Sequence, residues 1–139
     1  MKMFRIFNLK DNKYLDTEKF KYLSTFAIQS GDFIFESSVE LVDSNNTKLY
    51  ANDIIECDIG GKVFHLWISI PKNEIVVSLN SKVLGNFQLL AHLAFENSVK
   101  IKKITEYHFY KCEIKQNEDE FWDALKISEA LKECYEEFD

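Results

Sequence analysis

The run from Ile54 to Ile70 constrains this chain more than any other stretch, because two alternating segments meet there at Gly60-Gly61. In "IIECDI", Ile55, Cys57 and Ile59 share one face, and Ile54, Glu56 and Asp58 share the other. Successive side chains of a strand point to opposite faces, so this alternation marks a half-buried strand. "KVFHLWISI" repeats the pattern, with Phe64, Leu66, Ile68 and Ile70 on one face and Val63, His65, Trp67 and Ser69 on the other. The two glycines supply the positive φ angles that a two-residue hairpin turn requires. With the turn there, Ile59 faces Lys62, Cys57 faces Phe64, Ile55 faces Leu66, Glu56 faces His65 and Ile54 faces Trp67. A slip of one residue would set Phe64 against a carboxylate, so the apolar pattern selects the register. Ile55, Cys57, Phe64 and Leu66 are expected to point inward.

Other short segments extend the β character. "FRIFNLKDNKYLD" (4–16) reads as two short strands around a polar turn, in which Asp11-Asn12 tolerate left-handed backbone. "DFIFESSVELV" (32–42) is rich in strand formers, and "DSNNT" (43–47) is a turn. "IVVSL" (75–79) and "KVLGNF" (82–87) are two further strands after a turn at Pro71. Residues 99–115 read as one long strand or two shorter ones. The spacing of Phe20, Leu23, Phe26 and Ala27 predicts a helix over 17–28, capped by Thr17, and 89–95 reads as a short helix. Many short strands in 139 residues suggest one domain, with a mainly β, α+β fold. The expected architecture is a small SH3-like barrel or a bent antiparallel sheet with a C-terminal amphipathic helix.

That helix is expected over 117–139, closing a β-rich core over 4–116. Asn117 and Glu120 resemble a capping box, and Asp119, Glu120 and Asp123 favour the positive end of the helix dipole. Phe121, Ala124, Leu125, Leu131, Cys134, Tyr135 and Phe138 draw an apolar stripe, which packs on a core or on a partner. From Asn117 onward nine acidic residues stand against two lysines, while the chain as a whole carries a net charge of −6. The acidity therefore belongs to the tail, and it disfavours contact with phosphates.

No run approaches the length of about 20 apolar residues that spans a bilayer. The opening "MKMFRIFNLKD" lacks the apolar stretch of a signal peptide, which points to the cytoplasm of the cell. Cys57, Cys112 and Cys134 match neither a zinc motif nor a redox motif, so reduced thiols are expected.

Three pieces in order resemble the YopX family of bacteriophage and prophage proteins: the opening "FRIFNLKDNKYLD", then "VDSNNTKLYANDIIE" (42–56), then "VLGNF" (83–87). The resemblance spans residues 4–90. In the second piece it rests on Asp43, Leu49, Tyr50, Asp53, Ile54 and Ile55. Asn52 stands where the family pattern has glycine, and asparagine is among the few residues that adopt positive φ. The resemblance implies a fold containing an SH3-like barrel, a mobile-element origin in a bacterial host cell, and no known catalytic residues.

The sequence holds no phosphate-binding loop, nucleophile elbow or zinc-protease motif. No catalytic residue, metal site or cofactor is expected. Asp53, Glu56 and Asp58 do not make a metal cluster, because alternation sends Asp53 to the opposite face from the other two. His65 opposite Glu56 forms a charged pair without a nucleophile. The expectation is a non-enzymatic interaction protein, acting as an acidic inhibitor of a host nucleic-acid-handling or defence protein. The candidate contact residues are Trp67, His65 and Glu56 on the hairpin, with Glu118, Asp119, Trp122, Glu129, Glu133, Glu136 and Glu137 on the helix. Trp67 lies either beneath a second layer, such as that helix, or exposed as a binding anchor. A protein partner with a basic surface fits best, no membrane is expected, and self-association through the apolar stripe is compatible with this. The alternative is a nucleic-acid-binding barrel, in which Tyr107, Phe109 and Tyr110 interleave with Lys100, Lys102, Lys103, Lys111 and Lys115 to stack bases.

Overall fold

The structure, a computed structural model, describes residues 4–15, 31–111 and 116–137, with side chains described as far as Glu129. The chain is mainly β, a curled antiparallel half-barrel with two described helices. Strands β1 (Phe4–Asn8), β2 (Lys13–Tyr14), β3 (Phe33–Val42) and β4 (Lys48–Tyr50) form one sheet in the order β2-β1-β3-β4. Strands β5 (Asp53–Ile59), β6 (Lys62–Ser69), β7 (Val76–Leu79), β8 (Lys82–Asn86) and β9 (Val99–Glu106) form the second, in the order β8-β7-β6-β5-β9. Helix α1 (Phe87–Phe95) follows β8, a 3-10 turn (Tyr107–Phe109) follows β9, and helix α2 is Glu118–Glu137.

The β5–β6 hairpin has the register that the apolar pattern selects, from Ile59 opposite Lys62 to Ile54 opposite Trp67. Ile55, Cys57, Phe64 and Leu66 are all buried. Burial, with Asp58 nearby, pushes the Cys57 thiol up to about 12, as expected of a packed sulfur rather than a reactive one.

The β3–β4 turn joins the two sheets. Asp43 accepts backbone N–H groups from Asn45 and Thr47 within the turn, and from Lys103 of β9, each at 2.9 Å. Ser44 exchanges two further bonds with Ile101. These contacts cover the outer edge of β9, which would otherwise present unpaired amides. The core lies inside the curl, where Val39, Leu41 and Leu49 of the first sheet meet the inner face of the second and both helices.

Helix α1 starts where Asn86 accepts the Gln88 N–H, and it buries Leu90 and Leu93. Helix α2 starts where Asn117 Oδ1 accepts the Glu120 N–H at 2.9 Å. Its Phe121, Ala124 and Leu125 are buried, and Phe121 packs edge-on against Phe64 at 5.4 Å. Among the described residues no helix is long and apolar enough to cross a membrane.

One sequence expectation needs adjustment, and others fall outside the described residues. The helix expected over 17–28 lies outside the described residues, as do Cys112 and the side chains of Leu131, Cys134, Tyr135 and Phe138. The strand from Val99 ends at Glu106 instead of running on, because the Tyr107 N–H is taken by the Asn52 carbonyl at 2.7 Å and the chain turns in a 3-10 loop.

Candidate functional site

The polar centre of the molecule is Glu36, 1% exposed although it sits on a strand among phenylalanines. Register puts Arg5 of β1 directly opposite it. Glu36 Oε1 accepts from Arg5 Nε at 2.8 Å and from the Tyr14 hydroxyl at 2.7 Å. Oε2 accepts from Asn52 Nδ2 and His108 Nε2, both at 2.7 Å. Burial acts to raise the Glu36 carboxyl, but donors from Asn52, His108, Tyr14 and Arg5 outweigh it and hold the group below its ordinary range. Burial and the bond to Glu36 push the Tyr14 phenol well above its usual value, so it stays protonated as a donor.

Arg5 is also the link to Asp53, which is fully buried. Asp53 Oδ2 accepts the Tyr50 N–H at 2.7 Å. Its Oδ1 lies 2.7 Å from Arg5 Nη2 and 3.4 Å from Lys103 Nζ, ionic contacts without a well-aligned hydrogen bond. Burial therefore wins over both cations and raises the Asp53 carboxyl above its usual value. The guanidinium is sandwiched between the rings of Tyr14 at 4.6 Å and Tyr50 at 4.9 Å, where their π faces favour a cation. Buried ion pairs of this kind contribute little net stability, because desolvation offsets the attraction, yet breaking one side costs about 3–5 kcal/mol. What the cluster provides is geometry: it ties β1, β2, β3, the β4–β5 turn and the 3-10 turn to one carboxylate.

Asn52 carries that geometry to the surface. It sits at φ 69°, the left-handed conformation asparagine tolerates. Its N–H donates to Ile68 O at 2.6 Å and its carbonyl accepts from Tyr107 N at 2.7 Å. Its side chain donates to Glu36 and accepts from Trp67 Nε1 at 3.0 Å. Trp67 is thus fixed on one edge by Asn52, and Tyr107 stacks on its face at 4.3 Å with the rings 15° apart. Tyr107 itself is 50% exposed. On one side of Trp67 lies a cleft of about 420 Å³ bounded by Phe35, Asn52, Ser69, Pro71 and Asn73. On the other lies one of about 240 Å³ bounded by Ile54, His65, Ser78, Tyr107 and Tyr110. Trp67 is a wall of both.

Comparison with family models, with curated proteins and with solved structures gives no match. What the molecule can do rests on its own geometry.

Of the residues singled out from sequence, Glu56, His65 and Trp67 do share one face. His65 Nδ1 bonds the Tyr110 hydroxyl at 3.0 Å, and its Nε2 is 3.9 Å from Glu56. Tyr107, and not the C-terminal helix, covers Trp67, because α2 packs on Phe64 and Phe64 points to the opposite face of the sheet. The helix residues are therefore apart from the hairpin group. Asp119 is exposed, Glu118 is half-buried, and Glu129 is exposed and bonded to His92 at 3.1 Å. Trp122 is half-buried and packs on the core beside Phe121, so the core occupies much of its surface. The side chains of Glu133, Glu136 and Glu137 lie outside the described residues. The lysines of β9 are neighbours of β5 carboxylates, Lys100 opposite Asp58 and Lys102 opposite Glu56, while Lys103 pairs with Asp53 and with Glu106 at 3.1 Å. Among the described residues no group of three His, Cys, Asp or Glu side chains is placed to hold a metal ion.

Sequence reasoning missed Arg5, Tyr14, Glu36 and His108. One signal was present: Glu36 interrupts the strand formers of "FIFESSV" on the face where Ile34 sits, a position that must find a donor if it is buried. Nothing local named the donors, which lie up to 72 residues away.

Proposed function

We propose that this chain works by binding rather than catalysis, as an interaction protein whose contact surface is centred on the Trp67–Tyr107 stack. The observation that supports this reading is the stack itself: two large aromatic rings, held at the divide between two clefts by Asn52 and the cluster behind it. Rigid aromatic residues form binding hot spots because they bury much surface at little entropic cost. The ionisable groups of the cluster are committed to each other, and both Glu36 oxygens are saturated. A partner with a basic surface fits the chain's negative charge. The exposed Asp119, Glu120, Asp123 and Glu129 of α2 steer it from a distance, from the other side of the sheet. The resemblance to YopX proteins adds a bacteriophage or prophage origin and a host protein as target, with inhibition of a nucleic-acid-handling or defence enzyme as the outcome.

The test is capture of partners by the tagged chain from host lysate at low and high salt, followed by titration of the purified partner. Tyr107→Ala should weaken binding about 30-fold, the effect of removing a hot-spot side chain. Reversing Asp119 and Asp123 to lysine should slow association and blunt its salt dependence without changing the contact. Wild-type affinity in Tyr107→Ala would sink the reading. Recovery of nucleic acid in place of a protein would shift it to the lysines and aromatics of 100–111, although Lys100 and Lys102 already face carboxylates.

A further inference from the structure

The smaller cleft beside Trp67, about 240 Å³, is bounded by a hydroxyl that no described residue satisfies. Ser78 of β7 is the partner of Trp67 across the β6–β7 ladder, so its side chain stands on the same face of the sheet, next to the indole. Ser78 is 5% exposed, lines the cleft, and makes no side-chain hydrogen bond among the described residues. Buried hydroxyls are nearly always paired, so an unpaired one facing a cleft marks a place for an incoming donor. The walls around it are rings: Trp67, Tyr107 and Tyr110, with His65 bonded to the Tyr110 hydroxyl. Glu56 stands on the same face beside His65, its side chain 39% exposed and 3.9 Å from the imidazole Nε2. Lys102 lies opposite Glu56 in register without an ion pair, so this carboxylate keeps acceptors to offer.

These features select an occupant. The volume lies below the range of about 300–1,000 Å³ usual for small-molecule pockets and suits a single side chain. Aromatic faces attract a cation, and Glu56 adds negative charge. No lysine or arginine is among the described residues lining the cleft, so a phosphate would find no cation there. We propose that this cleft receives an arginine side chain of the protein partner, its guanidinium against the aromatic wall, one N–H donated to Ser78 Oγ and its charge turned toward Glu56. This rests on the reading of the Trp67–Tyr107 platform as the contact surface, and it names what that surface recognises.

Arginine fits better than lysine for three reasons. The guanidinium is planar and lies flat on a ring, it gives up water more readily than an ammonium, and its fork of donors serves two acceptors at once. The chain already holds one of its own arginines in this way. Arg5 sits between the rings of Tyr14 and Tyr50 while donating to Glu36 and to the Ala51 carbonyl. A basic partner supplies the same chemistry from outside, and the acidic residues of α2 favour its approach.

The probe is N-acetyl-arginine amide, titrated into the nitrogen-15-labelled chain at constant pH and ionic strength, with Trp122→Phe assigning the Trp67 indole signal. That signal should shift and saturate with a Kd on the order of 1 mM, usual for a ligand of this size. The lysine amide and the citrulline amide, which keeps the shape of arginine without its charge, should bind at least about tenfold more weakly. Ser78→Ala should weaken the arginine probe about tenfold, and Glu56→Gln about threefold, as a half-exposed charge allows. Ser69→Ala, which alters the cleft on the other side of Trp67, should change nothing. A Trp67 signal unmoved at about 50 mM probe would overturn the proposal. So would equal affinity for the arginine, lysine and citrulline amides, undiminished binding in Ser78→Ala, or a shift produced by uridine or methyl glucoside and not by arginine. If Ser78→Ala does not fold, the comparison of arginine with citrulline on the unaltered chain decides. The probe needs no partner, so the two readings fail separately. A probe that does not bind, while Tyr107→Ala still weakens the partner, strikes the arginine alone. A probe that binds, while Tyr107→Ala leaves the partner's affinity unchanged, strikes the platform and with it the partner's arginine.

Discussion

Replacing Asn52 with glycine removes a side chain from a residue whose backbone already sits at φ 69°, so the turn itself has no reason to change. Two hydrogen bonds go. The first, to the buried carboxylate of Glu36, is charge-assisted and is worth about 1.5–3 kcal/mol; the second leaves Trp67 Nε1 without its acceptor, at about 1 kcal/mol. Glycine relieves the strain of a side chain in the left-handed region but gives the unfolded chain more freedom, and these effects offset to within about 1 kcal/mol. The net loss should be about 2–4 kcal/mol, or a fall in Tm of about 6–12 °C for a domain of this size. Urea and thermal unfolding followed by circular dichroism measure it, and the Trp67 indole signal reports whether the platform loses its support in the native state. Asn52→Ala supplies an internal control. It loses the same bonds and must also hold a Cβ at positive φ, so it should be less stable than the glycine variant by about 1 kcal/mol. A loss below about 0.5 kcal/mol in Asn52→Gly, with an unmoved indole signal, would refute the argument that Asn52 couples the cluster to Trp67.

Two further outcomes follow from the same structure. Because the Glu36 carboxyl lies below its ordinary range when folded, the unfolded chain binds more protons between the two values, and stability should fall as pH drops below about 4. Glu36→Gln should be less stable at neutral pH by about 3 kcal/mol and should lose that acid limb; parallel profiles of urea midpoint against pH for the two chains would contradict this. Asp53, raised by burial, contributes in the opposite sense in both chains, so the difference between them isolates Glu36. Phe121→Ala should cost about 3–5 kcal/mol and lower the helical signal, since Phe121 is fully buried against Phe64; a cost under about 1 kcal/mol would mean that α2 is not held there.

Much of the fold was legible in the sequence for a local reason. Alternation and Gly60-Gly61 decide the β5–β6 register within one hairpin, and every pair from Ile59–Lys62 to Ile54–Trp67 stands as the pattern requires. The start of α2 is equally local, a side chain at Asn117 satisfying an amide three residues on. Asn52 at positive φ was raised only by the resemblance, whose pattern has glycine there, and the backbone adopts it at φ 69°. The tertiary structure decided which partners meet. Alternation places Trp67 and Phe64 on opposite faces of the sheet, but not which element covers each. The curl of the sheet brings Tyr107 to the first and Phe121 to the second. Glu36 shows the limit most sharply: its strand and its face follow from neighbouring residues, while its four donors come from positions 5, 14, 52 and 108. Periodicity is a property of neighbouring residues, and a buried carboxylate is satisfied by whatever the closed fold brings to it.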